Sequence, residues 1–170
     1  RRAGRRVSST ASSVPLRTGL SIAGLIVVLD QASKMVALDR LFETGNVVQV
    51  TSFLNLVAVW NRGVSFGMFA SEAEIMPWIL AGMALAVSLV LAIWLARSET
   101  KALMYGLGLI IGGAVGNVVD RVRFGAVIDF VDAHIAGYHW PAFNLADSAI
   151  TIGVILLLLD GFVGNRSEPD

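Results

Sequence analysis

The sequence predicts an all-α membrane bundle of four crossing helices with a small β-sheet added at one end. Three observations lead there. Of 170 residues, 55% are hydrophobic and only 15% charged, where a soluble domain carries about 25% charged residues. Four apolar runs approach or exceed the roughly 20 residues that a helix needs to cross the hydrocarbon. The two longer segments between them carry β-type patterning and most of the polar and aromatic punctuation.

The first run spans about residues 20–38 and is interrupted by Asp30, Gln31, Ser33 and Lys34. The second, about 76–96, has no charge, and the third, about 102–119, is uncharged and rich in glycine. The fourth, about 149–159, nears spanning length if it starts at Asp147 and ends near Phe162. The predicted helices are therefore about 19–38, 76–96, 102–120 and 147–162, within a single membrane domain of 19–163. Residues 1–18 and 164–170 are polar tails. Because the first residue is Arg1 rather than Met, residues ahead of it are expected. The basic leader before run one also fits a signal peptide, but Asp30 and Lys34 inside the run and the lack of a small-residue cleavage site do not.

Lysine and arginine set the expected orientation. With the N-terminus inside, four crossings place the five N-terminal arginines, Arg97, Lys101 and Arg166 on the cytoplasmic side, as the positive-inside rule requires. Both termini are then cytoplasmic, and segments 39–75 and 121–146 lie outside. Residues 47–60 are dense in Val, Leu, Phe and Thr, and residues 126–131 and 138–143 are further strand candidates, preceded by turn glycines Gly125 and Gly137. A small antiparallel sheet is predicted, with a short outer helix near residues 71–75.

Composition excludes several function classes. Net charge is zero and no basic stripe carries interleaved aromatics, so nucleic acid is not an expected partner. The chain has no cysteine and two histidines, His134 and His139, which argues against disulfides, thiol chemistry or a metal cage. No cofactor or metal is expected.

The predicted topology brings the ionisable residues to one depth. Asp30 and Lys34, four apart, share a face in the outer half of helix one. Asn117, Asp120 and Arg121 end helix three, Asp147 begins helix four, and Asp129 lies between them. Ionisable groups beside spanning helices are costly, and so point to function. Each also has a structural reading. Asp30 with Lys34 fits an ion pair that fixes helix packing, and Asp120 with Arg121 an interfacial charge pair. Asn61, Asn117 and Asn144 fit turns or caps, and Asp147 fits an N-cap. Asp132 and Glu43 read as solvated charges, and His134 and His139 as interface residues.

The residues in order resemble the lipoprotein signal peptidases (signal peptidase II). The matching segments are Asp30-Gln31-Ala32-Ser33-Lys34, Asn61-Arg62-Gly63-Val64-Ser65-Phe66-Gly67, Gly116-Asn117-Val118-Val119-Asp120-Arg121, Val127-Ile128-Asp129-Phe130 and Phe143-Asn144-Leu145-Ala146-Asp147. The resemblance covers about residues 20–162. It implies four transmembrane helices, an extracytoplasmic β-cradle and a short outer helix in a bacterial inner membrane. It implies an aspartic endopeptidase that removes the signal peptide from diacylglyceryl-modified prolipoproteins, cutting before the lipidated Cys near the outer face. Carried over by position, Asp129 and Asp147 are the catalytic pair, supported by Asp30, Lys34, Asn61, Asn117, Asp120, Arg121 and Asn144. Membrane lipid is an implied partner, and the cyclic peptide antibiotic globomycin an implied inhibitor.

Competing readings stay testable. A proton- or cation-coupled transporter would use the same aspartates but wants polar groups through the whole membrane depth. A scaffold would tolerate their loss. Gly-x-Ser-Gly, Gly-x-Gly-Asp and His-Glu-x-x-His sites of other membrane proteases are absent.

Overall fold

The computed structural model describes residues 13–45, 47–63 and 75–164. Helix α1 covers Ser13–Ala37 and runs on through a π-helical turn at Leu38–Phe42. A hairpin follows, β1 (Val48–Thr51) and β2 (Leu54–Asn61), then α2 (Met76–Leu95), α3 (Lys101–Phe124), β3 (Val127–Ile135), β4 (Tyr138–His139) and α4 (Leu145–Gly164). Among the described residues, four helices are long and apolar enough to cross a membrane. The short outer helix expected near residues 71–75 lies outside the described residues, apart from Ile75, which turns into α2.

Local chemistry sets the helix ends. Pro77 sits in the first turn of α2, where its missing N–H costs nothing. Thr100 caps α3 by accepting the Leu103 N–H at 3.1 Å. Gly125 ends α3 in the left-handed region at φ 66°. Three helices run beyond the expected limits. α1 starts at Ser13 rather than near 19, because Leu16 still packs against the core of Ala23, Leu95, Leu107 and Ile111. α3 continues to Phe124, and α4 begins at Leu145.

α3 is the central helix: 56% of its apolar window is buried, against 17–22% for the other three. Glycine permits the close approach. A Cβ on Gly112 would stand 2.7 Å from the Ala23 carbonyl of α1, and one on Gly113 would strike the Ala146 carbonyl of α4. Small residues at such crossings let backbones meet where lipid leaves no hydrophobic drive between helices. The opposite faces of α1, α2 and α4 expose Val28, Leu89 and Leu158, consistent with contact to acyl chains.

The sheet is antiparallel in the order β1-β2-β3-β4. The apolar stretch at 47–60 breaks into a hairpin rather than one strand, turning where Phe53 N–H donates to Thr51 Oγ1. The expected strand at 138–143 reduces to Tyr138–His139 plus an isolated bridge between Val131 and Phe143, since Pro141 supplies no amide to a ladder. β2 pairs Val59 with Asp129 and Asn61 with Val127 beyond a bulge. Asn61 and Asp129 therefore become diagonal neighbours on one face.

Candidate active site

Asp129 and Asp147, 18 positions apart in sequence, are held in one hydrogen-bond network at the sheet end of the bundle. Asp129 is 1% exposed. Its Oδ2 accepts from Asn61 Nδ2 at 2.9 Å and its Oδ1 from Asn144 Nδ2 at 2.7 Å. Asp147 Oδ1 accepts from Asn117 Nδ2 at 2.8 Å. Asn144 Nδ2 also lies 3.2 Å from Asn117 Oδ1, so two asparagine side chains join the carboxyl groups.

The end of α4 shows how the sequence builds this. Asn144 Oδ1 accepts the Asp147 N–H at 3.0 Å, and Asp147 Oδ2 accepts the Asn144 N–H at 3.2 Å. This is a reciprocal capping box made from Asn and Asp. Asn144 is thus the cap and Asp147 the residue three beyond it, rather than the cap itself. The arrangement leaves Asp147 in the first turn of α4, at the amide end of the helix.

Burial pushes the Asp129 carboxyl up to about 6, with the nearby Asp147 charge adding to the rise. The hydrogen bonds from Asn61 and Asn144 and the charge of Lys34 work against it. Asp147 is only half-buried and borders an open groove, so the two carboxyl groups stand in different surroundings.

Behind this pair lies a buried ionic cluster. Lys34 Nζ sits 2.8 Å from Asp30 Oδ2, 2.7 Å from Asp120 Oδ2 and 2.9 Å from Asn117 Oδ1. Asp120 therefore pairs with Lys34 and not with Arg121. The reason is geometric: α3 continues past both residues, and consecutive positions on a helix point about 100° apart. Arg121 instead donates from NH1 to the Asn117 carbonyl at 3.3 Å, and its buried Nε has no partner among the described residues.

The structure thus brings together all nine candidate residues, Asp30, Lys34, Asn61, Asn117, Asp120, Arg121, Asp129, Asn144 and Asp147. Gln31 belongs with them, donating to Asp120 Oδ1 at 2.8 Å and to the Gly116 carbonyl at 3.2 Å. Its amide beside Asp30 on a spanning helix was the available signal. Asp132 is corrected from a solvated charge to a covered one, 8% exposed, bonded by Asn55 at 3.0 Å and His139 at 2.8 Å. Strand pairing of Asn55 with Asp132 places that partner opposite. His139 stacks on His134 at 4.8 Å, and both belong to this separate cluster.

A groove of about 410 Å³ opens beside Asp147, lined mainly by apolar surface from Trp140, Phe143, Thr151 and Ile152. Gly63, with φ 81°, donates its N–H to Asn61 Oδ1 at 2.8 Å and fixes that amide toward Asp129. The remaining residues of the Asn61–Gly67 motif, 64–67, lie outside the described residues.

Known proteins share this arrangement of sequence. A family model described as signal peptidase (SPase) II matches residues 22–163. A lipoprotein signal peptidase of Nitrobacter hamburgensis is 47% identical over 155 residues, covering 88% of this chain and 94% of the relative. One from Janthinobacterium sp. is 45% identical over 157 residues, covering 92% and 93%. A bacterial membrane enzyme solved by the in meso method at 2.3 Å resolution superposes with a TM-score of 0.73 at 29% identity, over 90% of this chain and 93% of that one.

Proposed function

The chain belongs to the signal peptidase II family, the aspartic-type lipoprotein signal peptidases of the bacterial membrane, and from that premise we propose that Asp129 and Asp147 are its catalytic dyad. The substrate is a prolipoprotein carrying a diacylglyceryl-modified Cys, cut on the N-terminal side of that residue. The observation that carries the reading is the asparagine bridge: Asn144 holds Asp129 and Asn117 holds Asp147, and the two amides meet at 3.2 Å.

In the mechanism, Asp147, at the edge of the groove, is the general base. It takes a proton from water as the water oxygen attacks the scissile carbonyl. Asp129, which burial raises to about 6, gives its proton to the carbonyl oxygen when it is in its protonated form. As the tetrahedral intermediate collapses, one of its hydroxyls returns a proton to Asp129, the C–N bond breaks, and the proton held by Asp147 passes to the leaving amine. General acid–base help of this kind contributes about a hundred- to ten-thousand-fold. Positioning and exclusion of water supply much of the rest.

Arg121, whose buried Nε–H has no partner among the described residues, donates to the substrate backbone. The groove beside Asp147 receives apolar substrate, with Trp140 and Phe143 as its walls. Globomycin competes at the same place. The N-terminus is cytoplasmic and the dyad lies at the outer face, since that orientation puts Arg97 and Lys101 inside.

A cation path is disfavoured. α2 carries no charged residue, and the central helix is sealed toward its start by Leu107, Ile110 and Ile111. The deciding experiment incubates purified protein with a diacylglyceryl-modified precursor and its unlipidated twin. Cleavage of only the modified form, lost in both Asp129→Asn and Asp147→Asn, is expected. Substantial activity left in either variant would overturn the dyad.

A further inference from the structure

We propose that Lys34 is a positioning residue that sets the spacing of the two aspartates by three routes while itself touching neither carboxylate. The inference rests on the dyad reading above.

An ammonium has three N–H donors, and all three are committed. One is aimed at Asp30, one at Asp120 and one at Asn117 Oδ1. Each partner then holds one part of the dyad. Asp30 Oδ1 accepts the N–H of Ala146, the residue before Asp147, at 3.0 Å. Asp120 Oδ2 accepts the N–H of Ile128, the residue before Asp129, at 3.2 Å. Asn117, with its oxygen turned to Lys34, presents its nitrogen to Asp147.

The symmetry of this linkage is what a packing-only ion pair does not require. Asp30 and Lys34 stand on α1, Asp120 and Asn117 on α3, Ile128 on β3 and Ala146 on α4. One cation thereby ties the backbone just ahead of each aspartate to a common point. Lys34 is 2% exposed, while Asp30 and Asp120 are fully buried. Buried charge pairs are weak as sources of stability, and fixing one arrangement is the better-attested use. Gly116 belongs to the same device, because a Cβ there would stand 2.6 Å from Asp30 Oδ2.

The test uses the full chain in micelles with the diacylglyceryl-modified precursor. Lys34→Met removes the link. Lys34→Met/Asp120→Asn removes it while keeping the net charge of the cluster, so that the test survives if the single variant does not fold. For the folded variant, kcat falls on the order of a hundredfold, as displacement of reacting groups by about 1 Å does. KM stays within about threefold, because the substrate contacts remain. Hydrogen exchange at the Ile128 and Ala146 amides speeds up together. A folded variant with near-normal kcat, a loss carried by KM, or unchanged exchange at these two amides overturns the proposal. Asp129→Asn and Asp147→Asn run alongside. If they stay active, the dyad reading itself fails; if they are dead while the Lys34 variants work normally, only the positioning role fails.

Discussion

Asn144 donates to Asp129 at 2.7 Å while its side-chain oxygen accepts the backbone amide of Asp147 at 3.0 Å. One residue is both a helix cap and a brace for the opposite carboxyl group. The two duties separate by substitution. Ser caps a helix as well as Asn does but is too short to reach Asp129. Asn144→Ser is therefore expected to keep the thermal transition near that of the parent. Asn144→Ala should lose the cap as well, about 1 kcal/mol. Both should lower kcat on the order of a hundredfold. Equal, near-normal turnover in the two variants would deny the brace.

The elevated Asp129 carboxyl makes stability depend on pH in a definite sense. Its ordinary value is 3.8 and the folded value about 6, raised chiefly by burial. The folded protein holds this proton more tightly than the unfolded chain. Its contribution is thus fully present below pH 3.8 and is lost as pH rises through about 6. Asp129→Asn should flatten the fall in melting temperature across that window. A slope identical to that of the parent would assign the dependence elsewhere.

Asn61 supplies the strongest pull against that rise. Asn61→Ala should move Asp129 higher still, and carry the alkaline limb of kcat/KM upward in pH, since the acid must be protonated to donate. A limb that stays in place would remove Asp129 from the role of general acid.

The Asp132 cluster should behave in the opposite way. Its carboxyl is held below the usual 3.8 by the hydrogen bond with His139, then by that from Asn55. The stability it contributes is present above pH 3.8 and is lost as pH falls through the lower folded value. Acid titration should therefore speed amide exchange at Trp140, whose N–H donates to Ala133 at 2.8 Å across β3 and β4. His139→Phe should abolish that acid dependence.

Much of this site was legible because chemistry and topology pointed the same way. Charged residues inside apolar runs, such as Asp30 and Lys34, are costly enough to mark themselves. Four crossings then fixed their common depth. What stayed hidden was partner choice. Asp120 and Arg121 are adjacent in sequence, and only the continuation of α3 to Phe124 turns them apart. Asp132 reads as a surface charge until strand register sets Asn55 opposite it. The amides of Ala146 and Ile128 are invisible in any list of side chains, yet they donate to the two buried carboxylates. Backbone donors of this kind depend on where a helix begins, and α4 begins two residues earlier than Asp147.

Gly116 offers a test of how tightly the ionic cluster is packed against the bundle. On α3 it faces Asp30, and an added methyl would come within 2.6 Å of Oδ2 and 3.2 Å of Cγ. Asp30 cannot retreat without releasing either Lys34 or the Ala146 amide. Overpacking of a filled site costs about 1–3 kcal/mol, so Gly116→Ala should lower the melting temperature and depress kcat together. Gly24 is the control on α1: nothing lies within 4 Å of a Cβ built there, and alanine favours helix by about 1 kcal/mol over glycine. Gly24→Ala should leave turnover unchanged and hold or raise the melting temperature. If Gly116→Ala matched it in both measurements, the space around Asp30 would be looser than this geometry states, and the rigid linkage from Lys34 to Ala146 would lose its footing.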